Sequence, residues 1–383
     1  MTNPSPGIAI IGGGIAGLAT AIALRQKGIR STLFEAAPEV RAVGAGLSLA
    51  PNATLALRRL GLEEAIRQKG HTLTAMSIRH ADGSLIMATD GEQIARQYGA
   101  AHYAIHRAAL HEALLSQVGD TPVFTGKRAV QVTRQERKLQ VRFHDGSEHE
   151  AEALILADGI HSPIRRQLLP ASGPRYSGYT CWRSVIQTDQ ADGAETTETW
   201  GPNGRFGIVP IGGGKIYWFA TKNAPANDTR YKNFTVDDLL ANFRNYHDPI
   251  PRIIRQTRNE DLLWNDIIDL KPISRLAHGN ILFIGDAGHA TTPNLGQGAC
   301  QALEDAVVLA DEIGQCDNLE TAFRRFEKRR LARVHYVVNR SWTLGKVAQA
   351  SNPLVAAMRN GLLRAMPASS AAGQFRYLYT VDF

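Results

Sequence analysis

Gly7–Glu35 reads GIAIIGGGIAGLATAIALRQKGIRSTLFE, and the order of its parts decides the fold. An apolar run to Ile11 has strand length. Four glycines fall within the six positions Gly12 to Gly17. A helical pattern follows from Ala16 to Lys27, then a second apolar run over Arg30–Glu35. Strand, glycine turn, helix and strand in about thirty residues form the βαβ unit of a dinucleotide-binding sheet. Gly12 permits the tight turn, Gly14 lets the backbone approach a pyrophosphate, and Gly17 lets helix and strand pack closely. Ile15 and Ala16 open the helix whose dipole faces the phosphates. Glu35 stands eighteen residues past Gly17, where a carboxylate accepts the hydroxyls of an adenosine ribose and repels a 2′-phosphate. FAD or NAD is therefore expected there, rather than NADP. Arg41 would cap the adenosine, neutralise the pyrophosphate, or lie on the surface.

The rest of the composition is that of an ordinary globular chain. The 383 residues are 44% hydrophobic and 21% charged, enough for one large core or two linked ones. The glycines inside Gly7–Leu24, and the absence of a basic residue before it, argue against a signal peptide or membrane span. Cys181, Cys300 and Cys316 are far apart and odd in number. No disulfide framework or metal site is expected, and a cytoplasmic location is. The net charge of +7 is concentrated in Arg324–Arg333, whose interspersed Phe326 and Leu331 read as one face of a packed helix. No nucleic-acid motif accompanies it.

Two further segments carry chemistry. The apolar run Ala153–Ala157 leads into Asp158-Gly159, with Ser162 and Pro163 placed to cap a helix. Ile281–Ala310 reads ILFIGDAGHATTPNLGQGACQALEDAVVLA. Here Gly285-Asp286 ends a buried strand, where Asp286 would hold the hydroxyls of a sugar-like chain. The turn Pro293–Gly298 brings backbone N–H groups, those of Leu295 and Gly296 among them, to a flat ligand at a helix start. His289 within this loop reads as a structural hydrogen-bonding residue.

Between these segments the periodicity changes. Alternating runs from Tyr179 to Thr221 read as an antiparallel sheet forming a second unit. The expected organisation is an α/β fold with interleaved domains: a nucleotide-binding domain over 1–75, 101–175 and 273–350, a substrate domain over 76–100 and 176–272, and a helical tail over 351–383. The amphipathic segment Leu354–Arg364 in that tail is expected to pack in a core or a dimer rather than on a membrane.

Taken together, GxGxxG with Glu35, then DGxxSxxR at Asp158–Arg165, then GDAGHxxxPNxGQG at Gly285–Gly298 resemble the three fingerprints of class A FAD-dependent monooxygenases, the aromatic hydroxylases of the hydroxybenzoate hydroxylase type. The order and spacing match over nearly the whole chain. The resemblance implies tightly bound, non-covalent FAD and NAD(P)H as a transient co-substrate. It implies hydroxylation or epoxidation of a small planar, aromatic compound with O2, through a flavin C4a-hydroperoxide. It also implies that Arg107, Asp158, Gly159, Gly285, Asp286, Gly296 and Gly298 contact FAD, and that the Pro293 carbonyl lies near the reacting oxygen. Arg205 and Tyr217 match an Arg and a Tyr of urate hydroxylases in this family, while Asn294 stands where those enzymes carry an acid. Arg205 reads equally as a surface charge, and Tyr217 and Trp182 as sheet core. A monomer or homodimer is expected. The competing readings are an FAD-linked reductase or dehydrogenase of the geranylgeranyl-reductase type and a flavin-binding protein without turnover.

Overall fold

The computed structural model describes residues 7–39, 44–136, 138–189, 191, 195–365 and 375–383; Arg41 lies outside them. Ile8–Ile11 sits inside a six-stranded sheet, flanked by Ser31–Phe34 on one side and Ala153–Leu156 on the other. Ile281–Phe283 follows Ala153–Leu156, with the short strands Val123–Phe124 and Ala277–His278 at the two edges. All pairings are parallel except at Ala277–His278. Ile8–Ile11, Ala153–Leu156 and Ile281–Phe283 are buried at every position, because both sheet faces are covered. That is why they read as unbroken apolar runs.

The helices Ile15–Gln26 and Gly298–Gly314 pack against each other beside this sheet. The packing of the first helix on its turn, and of that turn on the strand Ala153–Leu156, depends on glycine. A Cβ on Gly17 would lie 1.9 Å from the Gly12 carbonyl oxygen, and Gly12 itself has φ 108° with a Cβ position 2.4 Å from the Ala157 carbonyl oxygen.

The second sheet has seven strands in the order Leu263–Leu270, Pro174–Gln187, Lys215–Asn223, Gly204–Pro210, Thr196–Gly201, Ala75–His80, Leu85–Asp90. It is antiparallel except where Thr196–Gly201 runs parallel to Ala75–His80, a pairing that alternation alone does not reveal. Trp182, Phe206 and Trp218 pack from one face onto Leu239, Phe243 and Ile254 of the covering helices. The other face turns toward the loops of the first sheet.

Behind those loops lies a buried polar network. Asp305 accepts from the Gly285 N–H at 2.9 Å and from Arg330 Nε at 2.8 Å, and its Oδ2 lies 2.6 Å from His289 Nε2. Glu304 pairs with Arg330 and Arg333 and accepts from Asn52 and Gln301. The long helix Leu319–Ala348 thereby grips the helix that follows the glycine-rich turn. His289 is thus a buried structural partner of Asp305.

His102 gives a pH dependence. Its ring is buried with neither nitrogen hydrogen-bonded, edge-on to Tyr379. Burial pushes its pKa down to about 4. The unfolded chain takes up that proton near pH 6.5, so the neutral-ring stability is complete above that pH and falls away as the pH drops toward 4. The loss is on the order of 2–3 kcal/mol. A His102→Leu variant is expected to show a flatter thermal midpoint between pH 7 and 4. Parallel wild-type and variant profiles would contradict the assignment.

Candidate functional site

One elongated cavity of about 620 Å³ lies between the two sheets, and the three glycine-containing segments meet on its walls. At one end Gly12, Gly14 and Glu35 line it. Glu35 is fixed by the backbone: Oε2 accepts from the Gly13 N–H at 2.6 Å and Oε1 from the Ala37 N–H at 2.7 Å. Each oxygen keeps a lone pair for a further donor. A Cβ on Gly14 would meet nothing within 4 Å, so the space beside it belongs to the cavity.

Asp158, Gly159, Arg107 and Asp286 line the middle. Both carboxyl oxygens of Asp158 are buried without a hydrogen-bond partner, and burial pushes its pKa up to about 6. An orphaned buried carboxyl calls for a donor. Beside it, Ser162 caps the helix Pro163–Leu168 by accepting from the Arg165 N–H at 3.1 Å. Arg165 itself is buried and donates to the carbonyls of Ala287, Gly159 and Ile160, tying the second segment to the third. Gly285 has φ 53°, a conformation that turns the chain at the strand end and leaves the Asp286 side chain exposed on the cavity wall.

At the far end Pro293–Leu295 forms a 3-10 turn ahead of the helix Gly298–Gly314. This turn corrects one expectation. The Gly296 N–H is donated to the Pro293 carbonyl at 2.9 Å, so it is not free for a ligand. The free donors there come instead from the first turn of the helix, whose N–H groups have no acceptor within it. Gly298 and Ala299 of that turn line the cavity.

The opposing wall is one face of the seven-stranded sheet. Strand register sets Thr221 between Cys181 and Arg205, Arg183 beside Phe219, and Val209 beside Tyr217. Arg205 is 4% exposed, a wall residue and not a surface charge. Its Nη1 binds Glu198 at 2.8 Å and its Nη2 binds the Asn294 side-chain oxygen at 3.0 Å. Asn294 also donates to Thr292 and to the Ser341 carbonyl and bonds the Tyr179 hydroxyl at 3.0 Å. One amide therefore joins the turn, the sheet and the long helix. The ring of Tyr217 lies where a Cβ on Gly46 would sit 2.6 Å away, which seals the sheet against the nucleotide-binding domain. Burial is the main cause holding the Tyr217 hydroxyl pKa well above its usual value. Burial in the same way places Trp182 in the core behind this wall.

Arg183, Glu198 and Tyr179 were not singled out in the sequence. Their signal was present as strand alternation, since Tyr179, Cys181 and Arg183 share a face, but the burial side of that face was not legible.

The cradle fits FAD: a backbone turn for the pyrophosphate, Glu35 for the ribose, two carboxyls along the chain and a helix start at the ring end. Residues 7–341 match the family model described as FAD binding domain. The chain is 38% identical over 360 residues to the aurachin C monooxygenase/isomerase of Stigmatella aurantiaca, covering 94% of each. It is 33% identical over 381 residues to the 2-heptyl-3-hydroxy-4(1H)-quinolone synthase of Pseudomonas aeruginosa, covering 97% of each. Its fold superposes on the crystal structure of Klebsiella pneumoniae HpxO complexed with FAD and uric acid with a TM-score of 0.89, at 29% identity and 97% coverage of both chains.

Proposed function

The chain belongs to the FAD-binding-domain family of flavoprotein monooxygenases, and we propose that its substrate is an uncharged planar heteroaromatic of the 4(1H)-quinolone class with an apolar tail. Bound FAD supplies dioxygen activation and oxygen transfer, with electrons drawn from NAD(P)H.

The protein's own groups do the rest in this reading. Gly12, Gly14 and Gly17 seat the pyrophosphate, with Ile15 and Ala16 opening the helix above it, and Glu35 accepts from the ribose. Arg107, Asp158 and Gly159 contact the middle of the cofactor, and Asp286 after Gly285 accepts hydroxyls of the chain leading to the ring. The helix start at Gly298 stabilises negative charge on the ring's edge, while Gly296 shapes the turn and the Pro293 backbone borders the reacting region. Leu47, Val209 and Phe219 keep water from the substrate. Tyr217 stays protonated at neutral pH and so donates a hydrogen bond rather than accepting a proton. Arg183 faces a ring carbonyl.

The observation that carries the substrate class is the engagement of Arg205. Its two terminal nitrogens bind Glu198 and Asn294, and the Glu198 carboxylate balances its charge, leaving the buried Nε–H as an unpartnered donor, which suits a neutral acceptor better than an anion. The likeness to the 2-heptyl-3-hydroxy-4(1H)-quinolone synthase of Pseudomonas aeruginosa supports the same class. A second reading, a urate-like anion, is favoured by the presence of Arg205 and Tyr217 in the cavity and by the likeness to HpxO with uric acid.

The two are separated by NAD(P)H oxidation. 2-Heptyl-4(1H)-quinolone is expected to accelerate it with little peroxide released, and urate is expected not to. Acceleration by urate alone would replace the quinolone reading with the second one.

A further inference from the structure

The helix Pro353–Arg364 is amphipathic in reverse. Its buried residues are Arg359 and Asn360, whereas Leu354 is 81% exposed, Met358 65% and Leu362 66%. These three recur every four residues and so form one stripe. Val355 beside them is also exposed. Leu85 and Val347, both exposed, flank the helix, their carbonyls bonding Arg364 at 3.2 Å and Arg359 at 3.1 Å. A contiguous apolar patch of this kind marks an interaction surface. The sequence expectation of core packing for Leu354–Arg364 therefore fails, since the polar residues take the inside.

The charge around the patch identifies what covers it. From Lys328 to Thr380 there are nine Lys and Arg and no Asp or Glu. Arg329, Arg330 and Arg333 are spent on carboxylates of the interior. Nearer the stripe, Lys346 donates to the Ser177 carbonyl, Arg364 to the Leu85 carbonyl and the Ser84 hydroxyl, and Arg359 to carbonyl oxygens. Those hydrogen-bond partners are neutral, and of the three only Arg359 has a carboxylate close by among the described residues, Glu198, so Lys346 and Arg364 keep their positive charge beside the stripe. An apolar stripe within an acid-free basic segment is the make-up of a helix lying in a lipid interface. No described helix is long and apolar enough to cross a membrane, and twelve residues suit an in-plane position.

We propose that Pro353–Arg364 seats the protein on an anionic lipid surface with this stripe in the interface. The helix is also wired to the cavity. The Arg359 guanidinium lies 4.5 Å from the Trp200 ring centre, Trp200 Nε1 donates to Glu198 at 2.8 Å, and Glu198 holds Arg205 in the cavity wall. Seating therefore brings the substrate wall next to the bilayer. If the substrate carries an apolar tail, as the reading above has it, the compound enters from the lipid in which it dissolves.

The test is co-sedimentation of the FAD-loaded protein with vesicles of phosphatidylcholine alone or with about a third phosphatidylglycerol. Binding is expected to the anionic vesicles, to weaken with added salt, and to fall about tenfold or more in Met358→Glu/Leu362→Glu. The same variant should keep its flavin content and its NAD(P)H oxidation in the absence of lipid. No binding by the wild type, or equal binding by the variant, overturns the proposal. So does a concentration-dependent dimer that the double substitution abolishes, because a second copy then covers the stripe. Vesicle binding is read without substrate, so its failure leaves the quinolone reading untouched. Failure of the quinolone to accelerate NAD(P)H oxidation leaves the lipid docking untouched.

Discussion

An Arg330→Met variant is expected to lose about 3–5 kcal/mol of stability. Arg330 is 2% exposed and reaches Glu304, Asp305 and Gln301 at once. Methionine matches much of its volume, so the loss is electrostatic. Arg333 still neutralises Glu304, but Asp305 keeps only His289 as an ion-pair partner. Burial works to raise the Asp305 pKa, and the charges of His289 and Arg330 overcome it, holding the carboxyl at about 2. Without Arg330 that balance shifts toward a protonated or displaced side chain. The consequence extends to the cavity, because Asp305 holds the Gly285 N–H ahead of Asp286. Thermal and urea unfolding should show a large shift together with weaker flavin retention. A midpoint within about 1 °C of wild type would show that the network contributes little.

An Asp286→Ala variant is expected to behave in the opposite way, folding normally and losing FAD. Asp286 is exposed and no internal hydrogen bond of its side chain accompanies it among the described residues, so its removal costs the fold little. Each charge-assisted hydrogen bond to a cofactor hydroxyl is worth about 1.5–3 kcal/mol, or roughly ten- to a hundredfold in affinity. Equilibrium dialysis against free FAD, with unfolding measured on the same preparation, reads both quantities. Unchanged FAD affinity would remove Asp286 from the cofactor site. Equal losses of affinity and stability would make it a structural residue.

The legibility of the fold followed from local physics. Ile8–Phe34 could be read because one glycine spacing, two apolar runs and a helical pattern agree within a short stretch, and Gly12 and Gly17 are required by contacts shorter than any side chain allows. That Glu35, Asp158 and Asp286 share one cavity wall was legible for the same reason, since each follows a buried strand. The substrate end was not. Arg205 could be a surface charge or a wall residue until the hairpin register set it beside Thr221 and Trp200. Its engagement by Asn294 joins residues 89 positions apart, and no local pattern encodes that. The Gly296 N–H was assigned to a ligand because the turn's internal hydrogen bond depends on a backbone conformation, φ 63°, that the sequence only permits. Core packing of the helix Pro353–Arg364 was not excluded by its sequence, because periodicity identifies an apolar stripe but not which way it faces.

Product labelling under 18O2 tests the central claim most directly. FAD-loaded protein is supplied with NAD(P)H and 2-heptyl-4(1H)-quinolone, and the product is weighed by mass spectrometry. A monooxygenase acting on this class of substrate yields a product heavier by one 18O atom, with one NAD(P)H consumed per product formed. Recovery of the quinolone unoxidised, with all the NAD(P)H consumed appearing as hydrogen peroxide, or a product carrying 16O from water, would contradict it.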